Sequence, residues 1–242
     1  MVGTPGEAFR FLRGEEKVRS FASGSGSTRP FCSTCGSMVP GADQDGPTLY
    51  MPAASLDGDP AVRPIAHIFV ASKAEWYEIC DGAMQFEILP PGFEFTPIPD
   101  RPPLDPGTGE IRGSCLCGGI TFAVTGPPQR IWNCHCMRCR KARAAVHASN
   151  AFFPAQAIRF TRGEGIRESY KVPDARFFQQ HFCRVCGSKM PRPDLERGLV
   201  VVPMGSLDDD PGMRPQRHIF VGSKAPWEEI SDALPQHPEY PG

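Results

Sequence analysis

No apolar run in this chain approaches the roughly 20 residues that a membrane-spanning helix requires. The first residues, Met1-Val-Gly-Thr-Pro5-Gly-Glu-Ala8, supply neither a charged start nor an apolar stretch, so no secretory leader is expected. An excess of either charge is also missing: 26 Lys and Arg face 27 Asp and Glu, for a net charge of −1. A dedicated nucleic-acid binder usually carries a basic face, so neither nucleic acid nor membrane is an expected partner. Long helices are disfavoured too, because 27 Pro and 25 Gly punctuate the 242 residues.

What the chain does have is cysteine. Of its ten, seven fall into three short clusters: Cys115-Leu-Cys117, Cys134-His-Cys136-Met-Arg-Cys139, and Cys183-Arg-Val-Cys186, the last joining the first by reach. Cys134, Cys136 and Cys139 are close enough to face one ion from a single loop. Each two-cysteine cluster is two ligands short, so Cys115 and Cys117 pair with Cys183 and Cys186. Four thiolates close a tetrahedral structural zinc site, whereas three leave a position open for water or substrate. Two zinc ions per chain are therefore expected, one structural and one catalytic. Iron remains an alternative for either sulfur site. Thiols kept free or metal-bound fit a reducing cytosol, which places the protein in the cytoplasm.

The chain also repeats itself in part. Phe31-Cys32-Ser-Thr-Cys35-Gly36-Ser37 matches Phe182-Cys183-Arg-Val-Cys186-Gly187-Ser188. Downstream, Ser55-Leu56-Asp57 matches Ser206-Leu207-Asp208, Arg63-Pro64 and His67-Ile68-Phe69-Val70 match Arg214-Pro215 and His218-Ile219-Phe220-Val221, and Trp76 matches Trp227. Upstream, the matching begins at Phe9, opposite Ile158. Nothing in the first copy corresponds to Cys115, Cys117, Cys134, Cys136 or Cys139. The expected organisation is an incomplete first copy over residues 1–95, a proline-rich linker over 96–109 with the boundary near 108, and a complete domain over 110–242. Cys32 and Cys35 are expected to hold no stable metal, since two thiolates cannot close a site.

The elements read as mainly β. Ile120 to Val124 and Ile158 to Thr161 alternate as half-buried strands do, and Leu199 to Val202 and His218 to Val221 read as short strands. Arg138 to Ala145 is the best helix candidate, with a shorter one at Trp227 to Ile230. Small sheets joined by metal-bound loops are the expected architecture, the metal linking strands whose own core is thin.

The cysteine clusters in their setting, Gly113-Ser-Cys115-Leu-Cys117-Gly-Gly119, Cys134-His-Cys136-Met-Arg-Cys139 and Phe182-Cys183-Arg-Val-Cys186-Gly187, followed by Arg214-Pro215, His218-Ile-Phe-Val221 and Lys224-Ala-Pro-Trp227, resemble the glutathione-dependent formaldehyde-activating enzyme family, which includes centromere protein V. The resemblance covers roughly residues 110 to 240. It implies a β-tent fold with a four-cysteine structural zinc and a three-cysteine catalytic zinc. It also implies a carbon–sulfur lyase activity that interconverts glutathione and formaldehyde with S-hydroxymethylglutathione.

Independently of that resemblance, three thiolates on a divalent ion leave an open position where a thiol would lose its proton. Arg138, Arg140, Lys141 and Arg143 sit beside the triad, placed either to meet the carboxylates of a glutathione-like substrate or to form a solvated helix face. His135 is expected to support the site rather than ligate, and His67 and His218 to be hydrogen-bonded structural residues. Trp76, Trp132 and Trp227 are expected to anchor the core, Trp132 also walling the pocket that Asn150 and Phe152 would line. The competing function class is a zinc-stabilised binding module without catalysis, which a fourth ligand at the triad would favour.

Overall fold

The computed structural model describes residues 1–23, 28–42, 47–93 and 109–241. Of the expected linker at 96–109, residues 96–108 lie outside the described residues. The molecule is mainly β, built from several small sheets.

The largest sheet has five strands in the order Arg192–Asp194, Leu199–Pro203, Ala148–Pro154, Arg130–Cys134 and Arg217–Ile219. Neighbours run antiparallel except the last pair, where Arg217–Ile219 lies parallel to Arg130–Cys134. A parallel neighbour needs a long crossover, and the chain between these two strands carries the helix Met137–Arg143, the other three strands of this sheet and one complete smaller sheet. Ala148–Pro154 is the middle strand, and Ala148, Asn150, Ala151, Phe152 and Phe153 are all buried. A strand covered on both faces loses the alternating pattern of a half-exposed one.

Two three-stranded sheets close over this one, Ile158–Arg162 with Thr121–Val124 and Ile111–Ser114, and Arg167–Lys171 with Gln179–Cys183 and Lys189–Met190. Ile120, Phe122, Val124, Ile131, Phe153, Met190, Val200, Val202 and Met204 fill the space between, and Cys115, Cys183 and Cys186 belong to the same buried cluster. Full burial of each large apolar side chain contributes about 1.5–3 kcal/mol.

The N-terminal part reproduces pieces of this plan. Val2–Pro5 pairs with Thr48–Met51 as Ala148–Pro154 pairs with Leu199–Pro203, Pro5 opposite Thr48 and Pro154 opposite Leu199. Val18 faces Cys32 as Arg167 faces Cys183. The structural correspondence thus reaches upstream to Val2, further than the match beginning at Phe9, because Gly3 and Thr4 share backbone pairing but not residue type with Phe152 and Phe153. Before residue 93, the described buried hydrophobic residues are Phe31, Leu49 and Ala54. So thin a core leans on its neighbour. Phe21 and Trp76 lie against the C-terminal core, and Ala53 and Ala54 against Ala225, Trp227 and Val146. A Cβ on Gly36 would sit 2.4 Å from the Phe182 ring and one on Gly187 would sit 2.6 Å from the Phe31 ring, so each part seats a phenyl ring on the other's glycine.

Three local expectations change. The helix runs Met137–Arg143 rather than Arg138 to Ala145, because Ala144 takes a left-handed φ of 52° that ends it. Trp227 to Ile230 is no helix: after Pro226 a turn closes with Glu228 N–H donating to Ala225 O at 3.0 Å. The strand expected at His218 to Val221 stops at Ile219, because Phe220 turns left-handed at φ 58°. No helix among the described residues is long and apolar enough to cross a membrane.

Candidate metal centre and pocket

Cys115, Cys117, Cys183 and Cys186 converge from two tight turns that are built alike. In one, Gly118 N–H donates to Cys115 O; in the other, Gly187 N–H donates to Cys183 O at 2.9 Å. Gly118 and Gly187 hold φ of 68° and 72°, a conformation that glycine takes without strain. The four sulfurs lie within 4.8 Å of one another, with Cys115 Sγ to Cys117 Sγ at 3.4 Å and Cys117 Sγ to Cys183 Sγ at 3.7 Å. These separations are far beyond a disulfide bond and close to the edge of about 3.8 Å of a tetrahedron with roughly 2.3 Å zinc–sulfur bonds. The donor set fits a structural metal ion.

The second cluster straddles a strand end and a helix start, where a single loop was expected. Cys134 closes the strand Arg130–Cys134, Cys136 caps the helix by accepting from Cys139 N–H at 3.4 Å, and Cys139 lies in its first turn. Their sulfurs also lie within 4.8 Å of one another. The three thiols hold one another's protons unequally. Hydrogen bonding with Cys136 comes first in pushing Cys134 up to about 12, while hydrogen bonds from Cys134 and Cys139 hold Cys136 down at about 3. A divalent cation is what lets all three be thiolates together.

This triad opens into a cavity of about 530 Å3, lined by Trp132, Arg138, Arg143, Asn150, Phe152, Phe177, Phe220, Tyr240 and others besides. The four-cysteine cluster is absent from its lining. Trp132 meets Phe152 at 5.8 Å and Tyr240 edge-on at 5.3 Å. Arg143 donates to Asn150 Oδ1 at 3.2 Å, and burial lowers its guanidinium to about 10, still protonated at neutral pH.

The basic run divides by face. Arg138 and Arg143 line the cavity, whereas Lys141 donates to Ser55 O at 2.5 Å and Asp57 Oδ1 at 2.6 Å in the N-terminal part, and Arg140 is buried outside the cavity lining. Asn150, Phe152 and Trp132 line the cavity as expected of them. Arg176, Phe177, His181, Arg192, Arg197 and Tyr240 also line it and were not foreseen, because they come from a loop, two later strands, a turn and the C-terminal segment with no shared motif. Asp194 pairs with Arg192 and Arg197, leaving Arg176 stacked on Phe177.

The histidines take supporting places. His218 Nε2 meets both oxygens of Asp232 at 3.0 Å, and His67 Nε2 meets Asp81 at 2.9 and 3.0 Å. His135 points away from the sulfurs on either side of it, Nε2 lying 2.7 Å from His218 Nδ1. Cys32 and Cys35 form a turn like those of the four-cysteine cluster, Gly36 N–H donating to Cys32 O at 2.7 Å, yet among the described residues no further ligands gather there.

The sequence matches the family described as glutathione-dependent formaldehyde-activating enzyme over residues 1–72 and 110–223. A Halomonas elongata protein provisionally named a glutathione-dependent formaldehyde-activating enzyme is 30% identical over 127 residues, 50% of this chain and 80% of that protein. A crystal structure of a Rhodobacter sphaeroides protein aligns at 23% identity and a TM-score of 0.36, covering 43% of this chain and 98% of that one. With both its cysteine clusters and its N-terminal stretch inside the matched segments, the chain belongs to the glutathione-dependent formaldehyde-activating enzyme family.

Proposed function

We propose that this protein is a zinc-dependent enzyme of the carbon–sulfur lyase class that acts on the adduct of a small thiol, glutathione first, with formaldehyde or a related aldehyde. The observation that carries the proposal is that the three-cysteine cluster faces the large cavity while the four-cysteine cluster lies off it. A non-catalytic module stabilised by zinc has no need of such a cavity at an open thiolate triad.

Cys115, Cys117, Cys183 and Cys186 would hold a structural zinc, and Cys134, Cys136 and Cys139 a catalytic one, giving two thiolate-bound ions per chain. The chemistry such an ion supplies is deprotonation of a coordinating thiol. The chain's own residues do the rest. Arg138 and Arg143 beside the triad, with Arg176 on another wall, receive the carboxylates of the thiol compound. Trp132, Phe152 and Tyr240 keep water from the aldehyde carbon. Addition forms the sulfur–carbon bond as the carbonyl pair moves onto oxygen, which takes up a proton; the reverse step breaks that bond and releases thiol and aldehyde.

The organisation proposed here is an incomplete copy over residues 1–95 and a complete domain from 110 onward. Without a triad the first copy is catalytically silent and serves to pack against the second. Free thiols at all ten cysteines support a cytoplasmic location. Exchange spectroscopy of formaldehyde with glutathione should show enzyme-dependent acceleration, lost in Cys136→Ser. Calorimetric titration should show thiol binding, and no binding of any common cellular thiol at millimolar concentration would overturn the proposal.

A further inference from the structure

Off the cavity, behind the triad, two histidine nitrogens are buried without a hydrogen-bond partner, and a carboxylate stands beside them. The proton positions follow from one carboxylate. Asp232 can only accept, so the proton between it and His218 sits on His218 Nε2. The 2.7 Å contact joins His218 Nδ1 to His135 Nε2, so His135 Nε2 is engaged and Nδ1 is the nitrogen left over. That atom is buried without a hydrogen-bond partner, on a side chain that is 0% exposed, and His147 Nδ1 is buried and unpartnered beside it. The imidazoles of His135 and His147 lie 5.1 Å apart, and their ligand atoms and a carboxylate oxygen of Glu228 all fall within 4.8 Å of one another.

A buried, unsatisfied polar atom costs about 1–3 kcal/mol. Two imidazole nitrogens in that condition, facing a carboxylate, make a ligand set that zinc and ferrous iron both take. The chain from Asp232 through His218 to His135 is the outer support that fixes the tautomer and ring orientation of a ligating histidine. We propose that His135, His147 and Glu228 hold a divalent transition-metal ion, zinc or ferrous iron, in a third site distinct from both thiolate clusters. Since His135 lies between Cys134 and Cys136, such an ion clamps the peptide that presents two of the three triad sulfurs. The site stands whether or not the triad is catalytic.

Cadmium-113 NMR of the fully loaded chain tests it, because thiolate-bound cadmium resonates far downfield of cadmium held by nitrogen and oxygen. The wild-type protein should show two downfield signals and one upfield signal. Glu228→Gln and His147→Ala should each abolish the upfield signal and lower the bound metal by one equivalent per chain, while the downfield pair persists and reports an intact fold. A wild-type spectrum with only the two downfield signals overturns the proposal even where a variant fails to fold. So does an upfield signal that survives in both folded variants. Elemental analysis of the protein as purified tells zinc from iron in the third equivalent.

Discussion

At Arg143 the guanidinium is committed to Asn150 on one side and faces the cavity on the other. Lysine would keep the charge and lose the planar fork, so Arg143→Lys should weaken thiol binding roughly tenfold, about 1.4 kcal/mol, with little change in melting temperature. Calorimetry of wild type and variant side by side checks this. His181 gives a pH prediction. Burial, then Arg167 and Arg192, pushes its imidazole down to about 4. The folded state therefore prefers the neutral ring, the unfolded chain binds more protons below its ordinary value near 6.5, and stability falls as pH drops from 6.5 towards 4. Partial solvent access limits the effect to on the order of 1–2 kcal/mol. Denaturant melts at pH 7 and 4.5 should show a smaller loss in His181→Asn than in wild type, and equal losses would sink the assignment. The cysteine groupings and the supporting roles of His67 and His218 were legible because ligand spacing and repetition are properties of the string. The direction of His135 was not, because it depends on a strand pairing with residues 217–219 that the string does not show.

The helix Met137–Arg143 and the strand before it bring the triad together, while the four-cysteine cluster ties turns 66 residues apart. Losing a ligand from the distant tie should remove folding free energy outright. Cys183→Ser is expected to cost on the order of 5 kcal/mol or more, and Cys136→Ser about 1 kcal/mol, as measured by thermal melts of the zinc-loaded proteins. Equal losses would erase the division between structural and catalytic ions. Among the strands, Thr121–Val124 and Ile158–Arg162 announced themselves by alternation, since one face of each meets the core. Arg130–Cys134 and Ala148–Pro154 did not. The middle strand is buried on both faces and reads Ala-Ser-Asn-Ala-Phe-Phe-Pro, and its neighbour mixes Arg, Trp and Asn because one side lines the cavity. Phe220 ended a strand that apolar character alone extended to Val221, a choice made by backbone torsion and not by hydrophobicity.

The N-terminal part and the C-terminal part hold each other reciprocally: Phe31 on Gly187, Phe182 on Gly36, Lys141 to Ser55 and Asp57, Lys189 to the Cys35 carbonyl at 2.6 Å. Phe31→Ala should therefore cost about 3–4 kcal/mol despite lying far from the cavity, and should expose the 1–93 segment to limited proteolysis before the remainder. Cys32→Ser, by contrast, should leave metal content and activity unchanged, as mass spectrometry and the exchange assay can show. Phe220, for its part, sits at φ 58°, where a bulky side chain costs about 1–3 kcal/mol, and Phe69 repeats the torsion at φ 57° in the part that has no triad. Catalysis cannot be the reason the torsion recurs. After each kink the next amides reach out to a later segment, Val70 N–H to Phe86 O and Val221 N–H to His237 O, so the bend works as a hook for a trailing strap. In the C-terminal part that strap carries Tyr240, 6.3 Å from Phe220 and in contact with Trp132. Torsional strain in one residue thereby sets how tightly the cavity's aromatic rim is drawn, and relaxing it with Phe220→Gly would loosen the rim even as the backbone gained comfort.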